Sequence, residues 1–434
     1  MNSTEHRDVR LRMPDRKQYC FETRCLDDSL PAGHQARVIW SVVQTLDLCD
    51  FRAAIRAREG GVGRDATDPQ LLVGLWLYAT TLGIGSAREL ARLCEDHRGF
   101  RWMCGGVSVN HHLLSDFRVG HAEALDKLFS QVLAKLIQKK LVSVRRIVQD
   151  GTRIRASVGA GTMRRKKTLE ELHAEAAAHV KDVRELLDDP EKSAGYSARK
   201  KAARLRAAKD KERRLTEALQ EIPKLAREFE ESARRESRKT YKTEDEIRVS
   251  HTDAQTRMMK MADNSYRPAH NVQIAADPDS RAIVGVDVSV RGQDVALGQP
   301  MRQQVEGRSG QKVGEHIADS GYVNLEQIDQ ATTDGVTMYI PPKKSNGKNK
   351  NADPYLHRRK DTPNIKAWRT RMAGEEAKKK RRERASTIET INADGKTHRG
   401  LGTVLVRGLK KVKCHALWFA LSYNLMHFGA SLLK

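Results

Sequence analysis

In the stretches RRIVQDGT and EHIADSGY an apolar run delivers one acidic residue, Asp150 or Asp319, to a glycine within two positions. Aspartate ahead of glycine is ordinary turn chemistry, because the carboxylate bonds its own backbone and glycine takes dihedrals that other residues resist. The recurrence of the pattern asks for more. Each acid closes a short segment of strand character, and strands lying side by side in one sheet would bring the two carboxylates close together. Carboxylates that close repel and raise each other's pKa unless a cation lies between them. Mg²⁺ suits such a place, since it takes hard oxygen ligands and keeps waters for phosphate groups. Two such ions about 4 Å apart can activate an attacking oxygen and stabilise a leaving one in phosphodiester chemistry. A third carboxylate is then required, and a helix beside the sheet can supply it. Glu389, in RRERASTIETINADGK, is the candidate, an acid between strongly basic flanks. Asp287, in VGVDV, is a rival on a strand that is expected to tuck beside a β-hairpin. Arg153 and Arg155 follow Asp150 closely and would steer a phosphate backbone towards it, a contact that positions without reading sequence.

The elements that must position these residues are legible from periodicity. Residues 30 to 140 read as helical throughout. LLVGLWLYATTLGIG (71–85) is a buried helix ending in a glycine-rich turn, and Ser86 with Glu89 three residues on is a capping box. After Gly105-Gly106, apolar residues from Leu113 to Leu136 recur at helical spacing. A helix, a turn and a helix carrying Asn110 and Arg118 suit a reader of the DNA major groove, although an ordinary helical bundle has the same pattern. Strand character returns over 142–159. Residues 162 to 240 form two apolar stripes in a heavily charged setting, broken at Asp189-Pro190 and disturbed at Pro223, which describes an antiparallel helical hairpin. HNVQIAAD (270–277) and RAIVGVDVSV (281–290) read as a β-hairpin, followed by a polar helix over roughly 294–307, the strand ending at Asp319, a helix capped by Asn324 and a strand over 336–344. A charged helix over 364–393 and an apolar closing helix complete the chain. The division is therefore a helical module (1–140), a core in two parts (141–160 and 251–345) separated by the charged hairpin (161–250), a basic mobile loop (346–363) and C-terminal helices carrying Glu389 (364–434).

The 434 residues carry a formal net charge of +23, more cation than folding needs, and such an excess calls for a polyanionic partner. Nucleic acid is the first candidate. An anionic membrane is the second, but no apolar run approaches the ~18 residues needed to span one. The N-terminal twenty residues lack an apolar stretch and a cleavage pattern, so a cytoplasmic protein is expected. The six cysteines are scattered without zinc-ligand spacing and read as reduced thiols.

At this point the chain resembles the bacterial insertion-sequence transposases of the DDE class. The residues carrying the resemblance are QDGTRIRA (149–156), YRPAHNVQIAAD (266–277), IVGVDVSV (283–290), ADSGY (318–322), ETINADGK (389–396) and VRGLKKVKCHALWFALSYNL (406–425), with SARELARLCEDHRGFRWMCGG similar to the helical module that precedes the family's core. The resemblance implies an α/β fold: an RNase H-like mixed sheet flanked by helices, with an all-helical N-terminal domain and the charged hairpin inserted. It implies Asp150, Asp319 and Glu389 as the catalytic, metal-holding acids, two Mg²⁺ ions with Mn²⁺ able to substitute, and Lys396 as the lysine of the family's Tyr-x2-Arg-x3-Glu-x6-Lys signature. Arg382 and Ala385 stand where that signature has Tyr and Arg, with Arg384 one residue away. The implied activity is cutting at terminal inverted repeats and joining of 3′-hydroxyl ends to target DNA. The DNA-contacting residues are expected to be Arg153, Arg155, Arg384, Lys396, Asn110 and Arg118. The partners are double-stranded DNA and a second copy of the chain, near the nucleoid. A DNA-binding regulator with an inactive core, and a metal-dependent nuclease that never joins, are the alternatives.

Overall fold

The computed structural model describes residues 25–53, 55, 57, 65–235, 240–344 and 352–434. The expectations for the N-terminal twenty residues, for Cys20 and for the first part of the basic loop lie outside them. Seven helices open the described chain: α1 (Gln35–Gln44), α2 (Cys49–Ala53), α3 (Pro69–Thr81), α4 (Ala87–Asp96), α5 (Arg98–Cys104), α6 (His111–Gly120) and α7 (Ala122–Gln138). Ser86 caps α4 as expected, the Glu89 amide donating to its Oγ at 3.3 Å. Twelve of the thirteen residues of α3, from Pro69 to Thr81, are buried, because a helix apolar on every side is stable only inside a core.

Strand β1 (Arg146–Arg155) leads to the short β2 (Met163–Arg165), and then come α8 (Lys166–Asp188), α9 (Pro190–Ser193) and α10 (Ala198–Arg235). The pair α8/α10 is the expected charged hairpin. Helix α10 continues through Pro223, although an interior proline removes one hydrogen bond and costs about 3 kcal/mol in an isolated helix. Ile222 and Leu225, on either side of it, are buried against Leu169 and Ala176 of α8, and this packing holds the helix together. Strand β3 (Arg248–Ser250) pairs with β2 at the base of the hairpin, and Arg257 anchors the hairpin to the sheet by an ion pair to Glu221 at 2.5 Å.

The core is completed by β4 (Arg257–Lys260), β5 (Tyr266–Ala276), β6 (Ile283–Ser289), α11 (Gly298–Ser309), β7 (Glu315–Ile317), α12 (Leu325–Thr333), β8 (Thr337–Tyr339), α13 (Pro363–Ala373), α14 (Glu375–His398) and α15 (Leu409–Leu433). The main sheet runs β4-β5-β1-β7-β8, and β6 pairs with β5. β1 is antiparallel to β5 and parallel to β7, so the sheet is mixed. Helix α15, also buried on nearly every side, contacts both β6 and the N-terminal helices, and one continuous apolar cluster runs from α1 through the sheet to α15. No helix among the described residues is long and apolar enough to cross a membrane.

Four local expectations change. Asp150 does not close its strand, because β5 continues to pair with β1 as far as Arg155 and holds Gly151 extended opposite Gln273. The polar helix begins at Gly298 and not near 294, since Ala296 adopts a left-handed φ of 66° that no α-helix can contain; Asp294 is thereby left in the preceding loop. The charged C-terminal helix is two helices, broken at Gly374. Residues 352–361 of the basic loop are pinned, with buried Arg369 donating to the Pro354 carbonyl at 2.6 Å and pairing with Asp361 at 2.7 Å.

Candidate active site

The last paired residues of the parallel strands β1 and β7 are Val148 and Ile317. Asp150 and Asp319 each stand two residues beyond that pair, so the two acids come out side by side where β7 stops and β1 goes on. Asp319 begins a 3-10 turn, its Oδ1 accepting the Gly321 amide at 2.7 Å, and Asp150 Oδ1 accepts the Gly151 amide at 2.9 Å. Burial pushes the Asp150 carboxyl up to about 6; Arg384 opposes this, and the neighbouring carboxylates of Asp319 and Asp294 add to it. Withdrawal from water and a second carboxylate nearby both disfavour the charged form of an acid.

Helix α14 covers β1 on this side. Arg384 Nη1 lies 3.6 Å from Asp150 Oδ2, and Asn392 Nδ2 approaches the same oxygen at 3.5 Å. The Lys396 ammonium, partly withdrawn from water, sits lower than usual, with Asp150 pulling the other way. Glu389, Asn392 and Lys396 stand at i, i+3 and i+7 and therefore share one face of the helix. Glu389 itself is exposed to solvent on that face. Asp287, the rival acid, is held elsewhere by Lys413 of α15 at 3.2 Å.

Asp294 was missed by sequence reasoning. Its Oδ1 accepts from Asn271 Nδ2 at 2.8 Å and from Gln273 Nε2 at 2.7 Å. Gln273 Oε1 in turn accepts from Gln149 Nε2 at 2.8 Å and from the Tyr322 hydroxyl at 2.5 Å, and His316 Nε2 bonds Gln149 Oε1 at 3.0 Å. Gln149, Asn271, Gln273 and His316 are all buried. The legible signal was polar residues at alternate positions, Asn271 and Gln273, in a strand whose residues from Pro268 to Ala276 are otherwise buried and mostly apolar. What they bind could not be read, because the acceptor comes from a loop 21 and 23 residues away.

Burial holds the His316 imidazole down at about 3, with Arg302 contributing. The unfolded chain takes up a proton near pH 6.5 while the folded chain does not, so this part of the stability is complete above about 6.5 and is lost as the pH falls towards 3. His316→Gln, whose amide can still donate to Gln149, should therefore gain on the wild type by about 2–3 kcal/mol between pH 6.5 and 4.5. Urea titrations of both proteins across that range would show it; a constant difference would show that His316 charges in the folded state.

The other DNA-contact candidates are dispersed. Arg155 is exposed at the end of β1. Arg153 donates to the Gly292 carbonyl at 2.8 Å. Asn110 caps α6, accepting the Leu113 amide at 2.9 Å. Arg118 is buried over the Trp76 ring at 4.9 Å and bonds the Gly85 carbonyl, so it presents no surface to DNA. Sequence reasoning also passed over a cleft of about 740 Å³ that opens beside Asp319, lined by Lys343, Lys344, Arg381, Arg384 and Tyr355.

Among the described residues no three acidic, histidine or cysteine side chains already converge on one point tightly enough to grip an ion. The donor set nevertheless fits a divalent cation. All the donors are hard oxygens, and Gly151 and Gly321 leave open the space between them: a Cβ on Gly321 would stand 2.8 Å from Asp319 Oδ1 and 3.6 Å from Asp294 Oδ2.

A mixed sheet with two acids side by side on adjoining strands, flanked by helices, is consistent with an RNase H-like DDE domain. Residues 240–425 match the family described as Transposase DDE domain, and residues 24–119 match Transposase domain (DUF772). The chain belongs to the insertion-sequence transposases of the DDE class. Asp150 falls between the two matched spans, and β1 brings it into the matched sheet. No curated protein and no solved structure matches the chain.

Proposed function

We propose that this transposase cuts DNA at the terminal inverted repeats of its element and joins the freed 3′-hydroxyl ends to target DNA, with Asp150, Asp319 and Glu389 as its catalytic acids. The observation that carries this is the position of Asp150 and Asp319, each two residues past the last pair of parallel strands. The three acids would hold Mg²⁺, or Mn²⁺ in its place, and the bound ions would supply a nucleophilic oxygen at neutral pH and charge for the leaving oxygen. Arg384, now the counterion of Asp150, is placed to turn to a phosphate once a cation takes over that role. Lys343, Lys344 and Arg381 line the path of a strand towards Asp319, while Lys396 acts on Asp150 from α14. Backbone contacts of this kind position the DNA and do not read it. Two ends must be handled together, which favours a homodimer.

The test is cleavage and joining of the element's terminal DNA with Mg²⁺ and with EDTA. Joined products that require Mg²⁺ support the reading. Binding without any product would leave a regulator with an inactive core, and cut ends that never join would leave a nuclease. Binding should also be steeply salt-dependent: neutralising roughly 6–10 phosphates weakens affinity by about 10³–10⁵ between 50 and 200 mM salt. Gel-shift titrations across that range check this, and a flat response would remove the backbone-binding role of these residues.

A further inference from the structure

We propose that Asp294 is a fourth acid of the catalytic centre and that its Oδ2 ligates the divalent cation; this rests on the metal-dependent reading above. Asp294 reaches the site from the face of β1 opposite to α14. Along a strand successive side chains point to opposite faces, so Asp150 turns towards α14 and position 151 towards Asn271 and Gln273. Position 151 is glycine, and a Cβ there would stand 2.3 Å from Asp294 Oδ1. The absent side chain is the opening through which Asp294 comes up beside Asp150 and Asp319.

The hydrogen bonds around it run one way. Gln149 Oε1 accepts, so His316 donates; Gln149 and Tyr322 donate to Gln273 Oε1; Gln273 and Asn271 donate to Asp294 Oδ1. The amide orientations along the buried row end on the Asp294 carboxyl, whose two donors consume one oxygen. The other oxygen, Oδ2, faces Gly321 and Asp319. A carboxylate with one oxygen clamped and the other free is the arrangement by which outer hydrogen bonds orient a metal ligand. A second observation points the same way. Asn271, only 1% exposed, keeps an unpartnered Oδ1 that lies 2.7 Å from the same Cβ position. A buried acceptor left bare is costly unless a bound water or cation completes it.

The experiment replaces Mg²⁺ by Fe²⁺ with ascorbate and peroxide, so that hydroxyl radicals cut the backbone next to the bound ion, and measures how much Mg²⁺ suppresses the cutting. The full-length wild type should be cut near residues 150, 294 and 319. Asp294→Asn keeps an acceptor for Asn271 and Gln273 but loses the charge. It should need at least about tenfold more Mg²⁺ for half-suppression, with an unchanged circular dichroism spectrum. Asp287→Asn, an acid on the next strand paired to Lys413, should behave as wild type. Should Asp294→Asn fail to fold, Asp294→Ser is read by the same criterion. Half-suppression within twofold of wild type would overturn the inference and leave Asp294 as a brace. No localised cutting in the wild type would instead remove the metal-dependent reading on which the inference rests.

Discussion

Asp150→Asn should abolish strand joining, by at least about 10³-fold, and at the same time make the metal-free protein more stable. Losing a residue that merely supports a metal site costs about 10–100-fold, so the size of the loss separates a ligand from a supporting neighbour. The gain in stability has an independent cause. Burial raises the Asp150 carboxyl to about 6, so above that pH the folded state holds a charge that the unfolded chain would carry more easily. The sign follows directly: between the unfolded value and about 6 the folded protein binds the extra proton, and its stability falls as the pH rises through that window. An asparagine there stays neutral. At pH 7.5 the variant should exceed the wild type by on the order of 2–3 kcal/mol, and the difference should vanish below about pH 4. Thermal melts in EDTA, run beside joining assays and gel shifts, separate the two effects. A variant that joins DNA would remove Asp150 from the chemistry, and one that is destabilised at pH 7.5 would show that the Arg384 contact outweighs the burial of the charge.

Gly151→Ala should be the most damaging single-methyl change in the sheet. The added carbon would meet Asp294 Oδ1 at 2.3 Å, Gln273 Nε2 at 2.4 Å and Asn271 Oδ1 at 2.7 Å. None of these atoms can swing freely, because each side chain is part of the buried row. Overpacking a well-filled interior costs typically about 1–3 kcal/mol; here hydrogen bonds to a carboxylate break as well, each worth about 1.5–3 kcal/mol. The expected loss is at the upper end of that first range or beyond it, with joining lost even in the fraction that folds. Ala275, on the adjoining strand β5 opposite Gln149, is a fully buried small residue. Ala275→Gly should cost only about 1 kcal/mol, as a strand glycine does. Urea unfolding of both variants is the measurement, and equal losses at the two positions would show that the polar row yields to the methyl.

Much of this architecture was legible because it is local. Helical period, the Ser86 cap, the Asp189-Pro190 break and the β5/β6 pair each depend on residues within one or two turns or strands of each other. The pair of acids was legible for a similar reason: the same short pattern of apolar run, aspartate and glycine occurs at Asp150 and at Asp319. The expected strand end at Asp150 failed because β5, more than a hundred residues later, holds Gly151 extended. Asp294 failed for the same kind of reason, compounded by a helix start misjudged by four residues, which a left-handed Ala296 sets.

Sequence by itself determined that the chain is a polycation with an α/β core, an inserted charged hairpin and two aspartates in matching strand contexts, since charge and periodicity survive without any fold. Only the tertiary structure decided that β1 and β7 are parallel neighbours, which puts Asp150 and Asp319 side by side. It also decided that Arg118 is spent on Trp76 in the interior and that Asp294 enters the site through the gap at Gly151. Pairing register and burial arise between segments far apart in the chain, and no local pattern encodes which of them will meet.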